Sequence, residues 1–320
     1  MEIGVLGVPS AAGAYGVGLS RAPAAFRRAG LLEGLRRAGL SVCDEGDLPA
    51  LPYTTDPDHP RQQNLDRVVG VARAVADRIE AIVEQERVPL VLGGDCTLTL
   101  GVAAGLIRRR PDVALAYLDG DVDLSTPATT RSGILDAMGI AHMLGLEGAA
   151  PALRDIGGRT PLIEGRRIAA IGYDEIELGE ARRELAKRHG IHLFGRMMVE
   201  GRAAEAAGQA LATLDDRDGL IVHFDVDVID STLLPLAQFP KFNQGLTVED
   251  ALIAFETLCG ARDVAAIVVT EANVDNDPDG RYVQRLVDGM VSATGSGLGG
   301  AQDGLGRRPD PETDRPSTRR

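Results

Sequence analysis

The sequence predicts one α/β domain built in three layers, α/β/α, around an eight-stranded, mostly parallel sheet. Three observations carry this. Short β-rich apolar runs alternate with helical patterns along residues 1–294, as they do where a parallel sheet is covered on both faces. The runs Leu220-Ile-Val222 and Val264 to Val269 are apolar throughout, as strands buried on both sides are. No second core is evident, although 320 residues would allow one or two domains.

The elements follow in order. Strands are expected over 2–8, 40–44, 89–93, 113–119, 167–172, 191–194, 219–225 and 264–270. Helices are expected over 22–38, 63–86, 97–109, 136–145, 177–189, 201–214, 247–259 and 281–294. The segment from Asn64 to Glu86 is the strongest helix. Its apolar residues Val68, Val69, Val71, Ala72, Val75, Ala76, Ile79 and Ile82 recur at the helical period along one face. Residues 45–62 are rich in Pro and Asp and read as a long loop. From about Thr294 the chain turns to Gly, Pro, Arg and Asp, so a disordered tail is expected over 295–320.

Composition narrows the function. A net charge of −13 disfavours phosphate-backbone and anionic-membrane partners. With 3% aromatic residues and no tryptophan, a base-stacking surface for nucleic acid is also disfavoured. Cys43, Cys96 and Cys259 form neither a disulfide framework nor a CxxC pair. A reducing, cytoplasmic setting fits them. No run of 18 apolar residues is present, so no transmembrane helix is expected. The opening Met1-Glu-Ile-Gly-Val-Leu-Gly-Val-Pro9 lacks the basic and long apolar regions of a signal peptide.

The chemistry concentrates at strand ends. Asp119-Gly-Asp121-Val-Asp123 follows Val113 to Leu118, and His223-Phe-Asp225-Val-Asp227-Val-Ile-Asp230 follows Leu220-Ile-Val222. Alternate strand residues share a face, so each ladder aims a row of carboxylates at one place. Buried carboxylates without compensation are costly. A divalent cation between the ladders is the economical answer, and oxygen ligands suit manganese, magnesium or calcium. An EF-hand is excluded, because Thr130 stands where its final Glu would be.

Gly93-Gly94-Asp95-Cys96 and Thr270-Glu271-Ala-Asn273 are two further polar strand ends. Ligands bind at the carboxyl ends of strands in open parallel sheets. Cys96 offers a soft ligand, with an ordinary buried thiol as the alternative. Asp95 reads as an orienting group, Asp230 as a ligand or a brace for the turn. His223 shares the face of Asp225 and Asp227 and reads as a hydrogen-bonded core residue, with contact to the site as the alternative. No G-x-G-x-x-G follows the first strand, and neither a Walker loop nor a G-x-S-x-G elbow occurs.

In this order the motifs resemble the arginase/agmatinase (ureohydrolase) family over most of residues 1–294. The resemblance rests on Ile3-Gly-Val-Leu-Gly-Val-Pro9, Gly18-Leu-Ser-Arg-Ala-Pro23, Gly93-Gly-Asp-Cys96, the ungapped Asp119 to Gly133 segment, Phe224-Asp-Val-Asp227, Gly245-Leu-Thr247 and Glu271-Ala-Asn273. It implies an arginase-like fold and two manganese ions per chain, bridged by a hydroxide that attacks a guanidinium carbon so that urea leaves. It places the metal ligands at Cys96, Asp119, Asp121, Asp123, Asp225 and Asp227. Asp136 takes the place of a histidine thought to shuttle protons, and Glu271 would bind the guanidinium. Ser125, Thr130 and Ser132 align where the substrate's amino-acid end is held. A homo-oligomer, trimer or hexamer, is also implied.

Two departures stand out. The family carries histidine at the positions of Cys96 and Asp121. The Pro235-Leu-Ala-Gln-Phe-Pro240 loop departs from a small-residue pattern and would reshape the pocket. With five carboxylates and one thiolate against two divalent ions, the ligand set is left near −2 unless a proton or another cation joins it. The expectation is a metal-dependent hydrolase of a linear, arginine-like guanidino compound. The alternatives are a catalytically inactive relative kept for binding or assembly, or another amidine or formimino hydrolase.

Overall fold

The computed structural model describes residues 2–214 and 216–303. Its strands are β1 (Glu2–Gly7), β2 (Ser41–Asp47), β3 (Arg87–Leu92), β4 (Ala114–Leu118), β5 (Ile168–Ile171), β6 (His192–Phe194), β7 (Leu220–Asp225) and β8 (Val264–Thr270). They form one sheet in the order β2-β1-β3-β8-β7-β4-β5-β6, and every adjacent pair is parallel. The three-layer α/β arrangement expected from the sequence is therefore present.

The helices are α1 (Ala22–Arg28), α2 (Leu31–Arg37), α3 (Leu65–Glu84), α4 (Leu98–Leu106), α5 (Gly139–Leu144), α6 (Pro151–Arg154), α7 (Glu175–Arg188), α8 (Arg196–Val199), α9 (Ala203–Thr213), α10 (Val248–Cys259) and α11 (Arg281–Asp303). Strand alternation assigns them to faces. Leu90, Leu92, Val222, Phe224, Ile267 and Val269 pack with α1, α2, α9, α10 and α11. Val91, Leu115, Tyr117, Ile221 and Val268 pack with α3, α4 and α5 on the other side. The Phe224 ring stacks on Phe255 at 4.9 Å. Burying a side chain of this size contributes about 1.5–3 kcal/mol. Among the described residues no helix is long and apolar enough to cross a membrane.

Four expectations change. The helix expected over 22–38 breaks into α1 and α2, because Gly30 adopts a left-handed conformation with φ 82°. The first part of the expected 45–62 loop is strand. β2 continues to Asp47 as a polar edge, its carboxylates held by Arg27 at 2.9 Å from Asp44 and 2.6 Å from Asp47. The 136–145 helix is a single 3-10 turn at Asp136–Met138 followed by α5.

The fourth change is at the far end. α11 runs to Asp303, through residues 295–303 that the glycine content marked as disordered. Those glycines allow close packing instead. A Cβ on Gly295 would lie 2.7 Å from that of Ala38, and one on Gly297 2.8 Å from that of Cys259. Leu298 is fully buried beside them. Residues 304–320 of the expected tail lie outside the described residues.

The strand order places the site. The chain builds outward through β2, crosses to β3, jumps to β4–β6, and returns to lay β7 and β8 between β3 and β4. The four central strands, β3-β8-β7-β4, are the four whose carboxyl ends carry the polar motifs.

Candidate metal centre

Register brings the side chains together. Asp225 pairs with Thr270, and Leu118, just before Asp119, pairs with Phe224. Asp119, Asp225 and Thr270 therefore share a sheet face with Tyr117 and His223 one step below. Cys96 reaches the same place from the Gly93–Cys96 turn. Gly94 is required there, since a Cβ would lie 1.6 Å from the carbonyl oxygen of Ser10.

The donor atoms of Cys96, Asp119, His223 and Asp225, all buried, lie within 4.8 Å of one another. Cys96 Sγ is 2.6 Å from Asp225 Oδ2, 3.6 Å from His223 Nε2 and 4.0 Å from Asp119 Oδ2. His223 Nε2 is 3.5 Å from Asp119 Oδ2. Its ring stacks on Tyr117 at 4.1 Å, and its Nδ1 is 2.8 Å from Thr99 Oγ1. Burial pushes the imidazole down to about 3, so it is neutral and can offer a lone pair.

A cavity of about 190 Å³ opens over this group, lined by the aspartates of both ladders with Cys96, Asp136, Glu177, Phe239, Lys241 and Glu271. Asp136 Oδ1 accepts the Cys96 backbone N–H at 2.5 Å. Glu271 has left-handed backbone, φ 62°, fixed by its N–H to Gly94 O at 2.9 Å and by Gln238 N–H to its carbonyl at 3.2 Å. Such strain in a non-glycine residue is typical of functional sites. Both Glu271 carboxylate oxygens are buried without a hydrogen-bond partner among the described residues. The donor atoms of Cys96, Asp136 and Glu271 also lie within 4.8 Å of one another.

The electrostatics agree. Burial first, and neighbouring carboxylates second, raise Asp123, Asp136, Asp225 and Glu271 well above the ordinary carboxylate range. Asp119 and Asp227 are pushed up to about 7, again chiefly by burial. The Cys96 thiol is raised well above its usual value by burial and by Asp225. So many buried acids call for positive charge. The N, S and O donors around Cys96 match one divalent cation.

The other expected site residues have partners of their own. Asp123 lines the cavity, but its Oδ2 accepts the Tyr117 hydroxyl at 2.5 Å. Asp227 Oδ1 accepts Gly120 N–H at 3.0 Å. Asp121 also lines the cavity, yet it pairs with Arg182 at 3.3 Å and stands apart from the close donor group. Ser125, Thr130 and Ser132 do not line the cavity. Thr130 Oγ1 instead accepts Gly133 N–H at 2.9 Å, and Ser132 Oγ accepts Ile134 N–H at 3.3 Å. Asp95 is a brace, accepting Gly13 N–H at 3.1 Å and Thr97 N–H at 3.2 Å. Asp230 braces its turn through Thr232 N–H at 2.8 Å.

Sequence reasoning missed Lys241, Glu177 and Arg182, and set His223 in the core first, with contact to the site as its alternative. Lys241 Nζ donates to Glu177 Oε2 at 2.7 Å, and its stem lies over Gly120. Nothing periodic marks an inward lysine in a loop. The departure of the 235–240 segment was its one signal.

Comparison with known proteins supplies a context. A sequence profile described as "Arginase family" matches residues 1–293. Arginase-1 of Homo sapiens is 29% identical over 94% of this chain and 94% of its own. An arginase of Brevibacillus brevis is 30% identical over 93% of this chain and 99% of its own. The crystal structure of arginase from Bacillus cereus superposes with a TM-score of 0.80 at 28% identity, covering 92% of this chain and 98% of that one. Formimidoylglutamase from Bacillus subtilis, at a TM-score of 0.72 and 18% identity, shares the fold.

Proposed function

This chain belongs to the arginase family of metal-dependent hydrolases, and from that premise we propose that it hydrolyses a linear, arginine-like guanidino compound and releases urea. The observation that carries the reading is the pair of unpartnered, buried Glu271 oxygens beside the acidic cluster. With Asp136 beside it, the Glu271 carboxylate is the planar complement of a guanidinium's parallel N–H pair. Its strained backbone holds it in place before substrate arrives.

Cys96, Asp119, His223 and Asp225 would hold a divalent cation, with Asp121, Asp123 and Asp227 lining the same cavity. Manganese is the ion the family resemblance implies. A bound divalent cation supplies a water acidified toward neutral pH. The remaining work falls to the chain. Glu271 fixes the guanidinium carbon above the donors. Water adds to that carbon, the C–N bond to the chain nitrogen breaks, and the departing amine needs a proton. Asp136, buried beside Cys96 and Glu271 on the cavity wall, is the side chain placed to pass that proton. One of its oxygens is anchored by Cys96 N–H, which fixes the direction of transfer. Phe239 and the narrow cavity limit solvent. Ser125, Thr130 and Ser132, on the loop after the first ladder, would meet the substrate's far end.

The test is urea release by the manganese-loaded full chain on arginine and on its decarboxylated amine. Glu271→Gln keeps the shape, removes the charge, and should lower kcat/KM by about 10²-fold or more. Equal urea release by the variant would refute the assignment. Ammonia without urea would mean that a terminal C–N bond breaks instead, and would overturn the reading.

A further inference from the structure

The half of the cavity bordered by Asp121 and Asp227 already holds positive charge. Lys241 is 8% exposed, and its backbone is pinned on both sides by Ser231, at 2.8 Å from Ser231 N–H to Lys241 O and 3.1 Å from Lys241 N–H to Ser231 Oγ. Its stem crosses Gly120. A Cβ at residue 120 would lie 2.4 Å from Lys241 Cε and 2.9 Å from Asp227 Oδ1. Glycine at this point of the first ladder makes room for the lysine. The ammonium feels the fields of Asp227, Glu177 and Asp121. Arg182 adds its guanidinium 3.3 Å from Asp121.

The other half is built differently. Cys96, Asp119, His223 and Asp225 converge there, and no group of converging donors among the described residues includes Asp121 or Asp227. A tetrahedral N/S/O site has donor separations of about 3.3–3.8 Å. The His223–Asp119, His223–Cys96 and Cys96–Asp119 separations of 3.5, 3.6 and 4.0 Å lie close to that range, while Cys96 and Asp225, hydrogen-bonded at 2.6 Å, are the pair a cation would have to spread. Thr99 orients the imidazole from behind, as partners of metal-bound histidine do.

We propose that this chain holds one divalent cation, at Cys96, Asp119, His223 and Asp225, and that Lys241 and Arg182 stand in for a second. Two fixed monovalent cations carry the charge of one divalent ion. They cannot acidify a water as a metal does, but they offset much of the charge of Asp121 and Asp227, with Glu177 taking a share through its 2.7 Å pair with Lys241. His223, supplied from β7, takes over the imidazole that Cys96 displaced from the Gly-Gly-Asp turn. The proposal rests on the metal-dependent reading above and gives it a different stoichiometry.

Cobalt(II) is the probe, because a thiolate ligand gives it a near-ultraviolet charge-transfer band that reports Cys96. Titrated into the full wild-type chain, the band should saturate at one equivalent, with calorimetry detecting no second tight site. In the double variant Lys241→Met, Arg182→Met, a second equivalent should bind about 10-fold or more tighter than any second equivalent in wild type. The thiolate band should stay unchanged. Two tight equivalents in wild type would overturn the proposal and leave the hydrolase reading standing. No cobalt bound at all would remove both. A double variant that still takes one equivalent would overturn the assignment of the two side chains, and the wild-type stoichiometry decides the matter even if that variant does not fold.

Discussion

Asp119→Asn offers the sharpest test of the charge crowding at this centre. The amide is isosteric, can still accept the Asp121 N–H now received at 2.7 Å, and can donate toward His223. What it removes is one buried negative charge. Burial is the chief cause of the raised Asp119 value, about 7 against an ordinary 3.8, and the Asp121 carboxylate adds to it. The folded-state value lies above the unfolded one. The charge therefore costs nothing below the unfolded value, and its cost grows as pH rises toward the folded value and is constant above it. The difference of about 3 units corresponds to about 4 kcal/mol at pH 8. At pH 5 it falls to under about 2 kcal/mol. Allowing for the altered hydrogen bonding of the amide, the chelated variant should exceed chelated wild type by about 2–4 kcal/mol at pH 8. At about 2 °C per kcal/mol, that is about 4–8 °C in Tm. The assay is thermal unfolding of both proteins in EDTA at pH 5 and pH 8, then with manganese. Manganese at 100 times Kd should stabilise wild type by about 2.7 kcal/mol and leave the variant unmoved. A chelated variant less stable than wild type at pH 8, or an identical difference at both pH values, would refute the account.

Two smaller tests address the frame around the donors. Tyr117→Phe removes the hydroxyl that Asp123 accepts at 2.5 Å and leaves a buried oxygen unsatisfied. It should cost about 1–3 kcal/mol in denaturant unfolding, and an unchanged midpoint would count against that bond. Gly94→Ala drives a Cβ to 1.6 Å from Ser10 O, backbone against backbone. It should destabilise by about 3 kcal/mol or more and loosen cobalt binding through Cys96, whereas wild-type Tm and affinity would show that the turn yields freely.

The strand ends were legible because their signal is local. An apolar run followed by alternating carboxylates states both where a strand is and which face its charges take, and β4 and β7 repeat that statement. The amphipathic period of α3 is equally local. The break at Gly30 was less so, since a single glycine also occurs inside helices at a cost of about 1 kcal/mol. The end of α11 misled for a related reason: glycine-rich composition belongs to disorder and to close helix packing alike, and contact with Ala38 and Cys259 decides between them.

The sequence by itself determined the layered α/β architecture and, Glu177 apart, the acids that line the centre. Strand positions and side-chain periodicity follow from hydrophobic burial, which every residue reports at its own position. Only the tertiary structure decided which acids meet donors and which meet cations of the chain. Asp121 finds Arg182, the Lys241 stem finds Gly120, and His223 finds Cys96. Those pairings join segments 61, 121 and 127 positions apart. An electrostatic partner is fixed by distance in space, and no run of residues carries that distance.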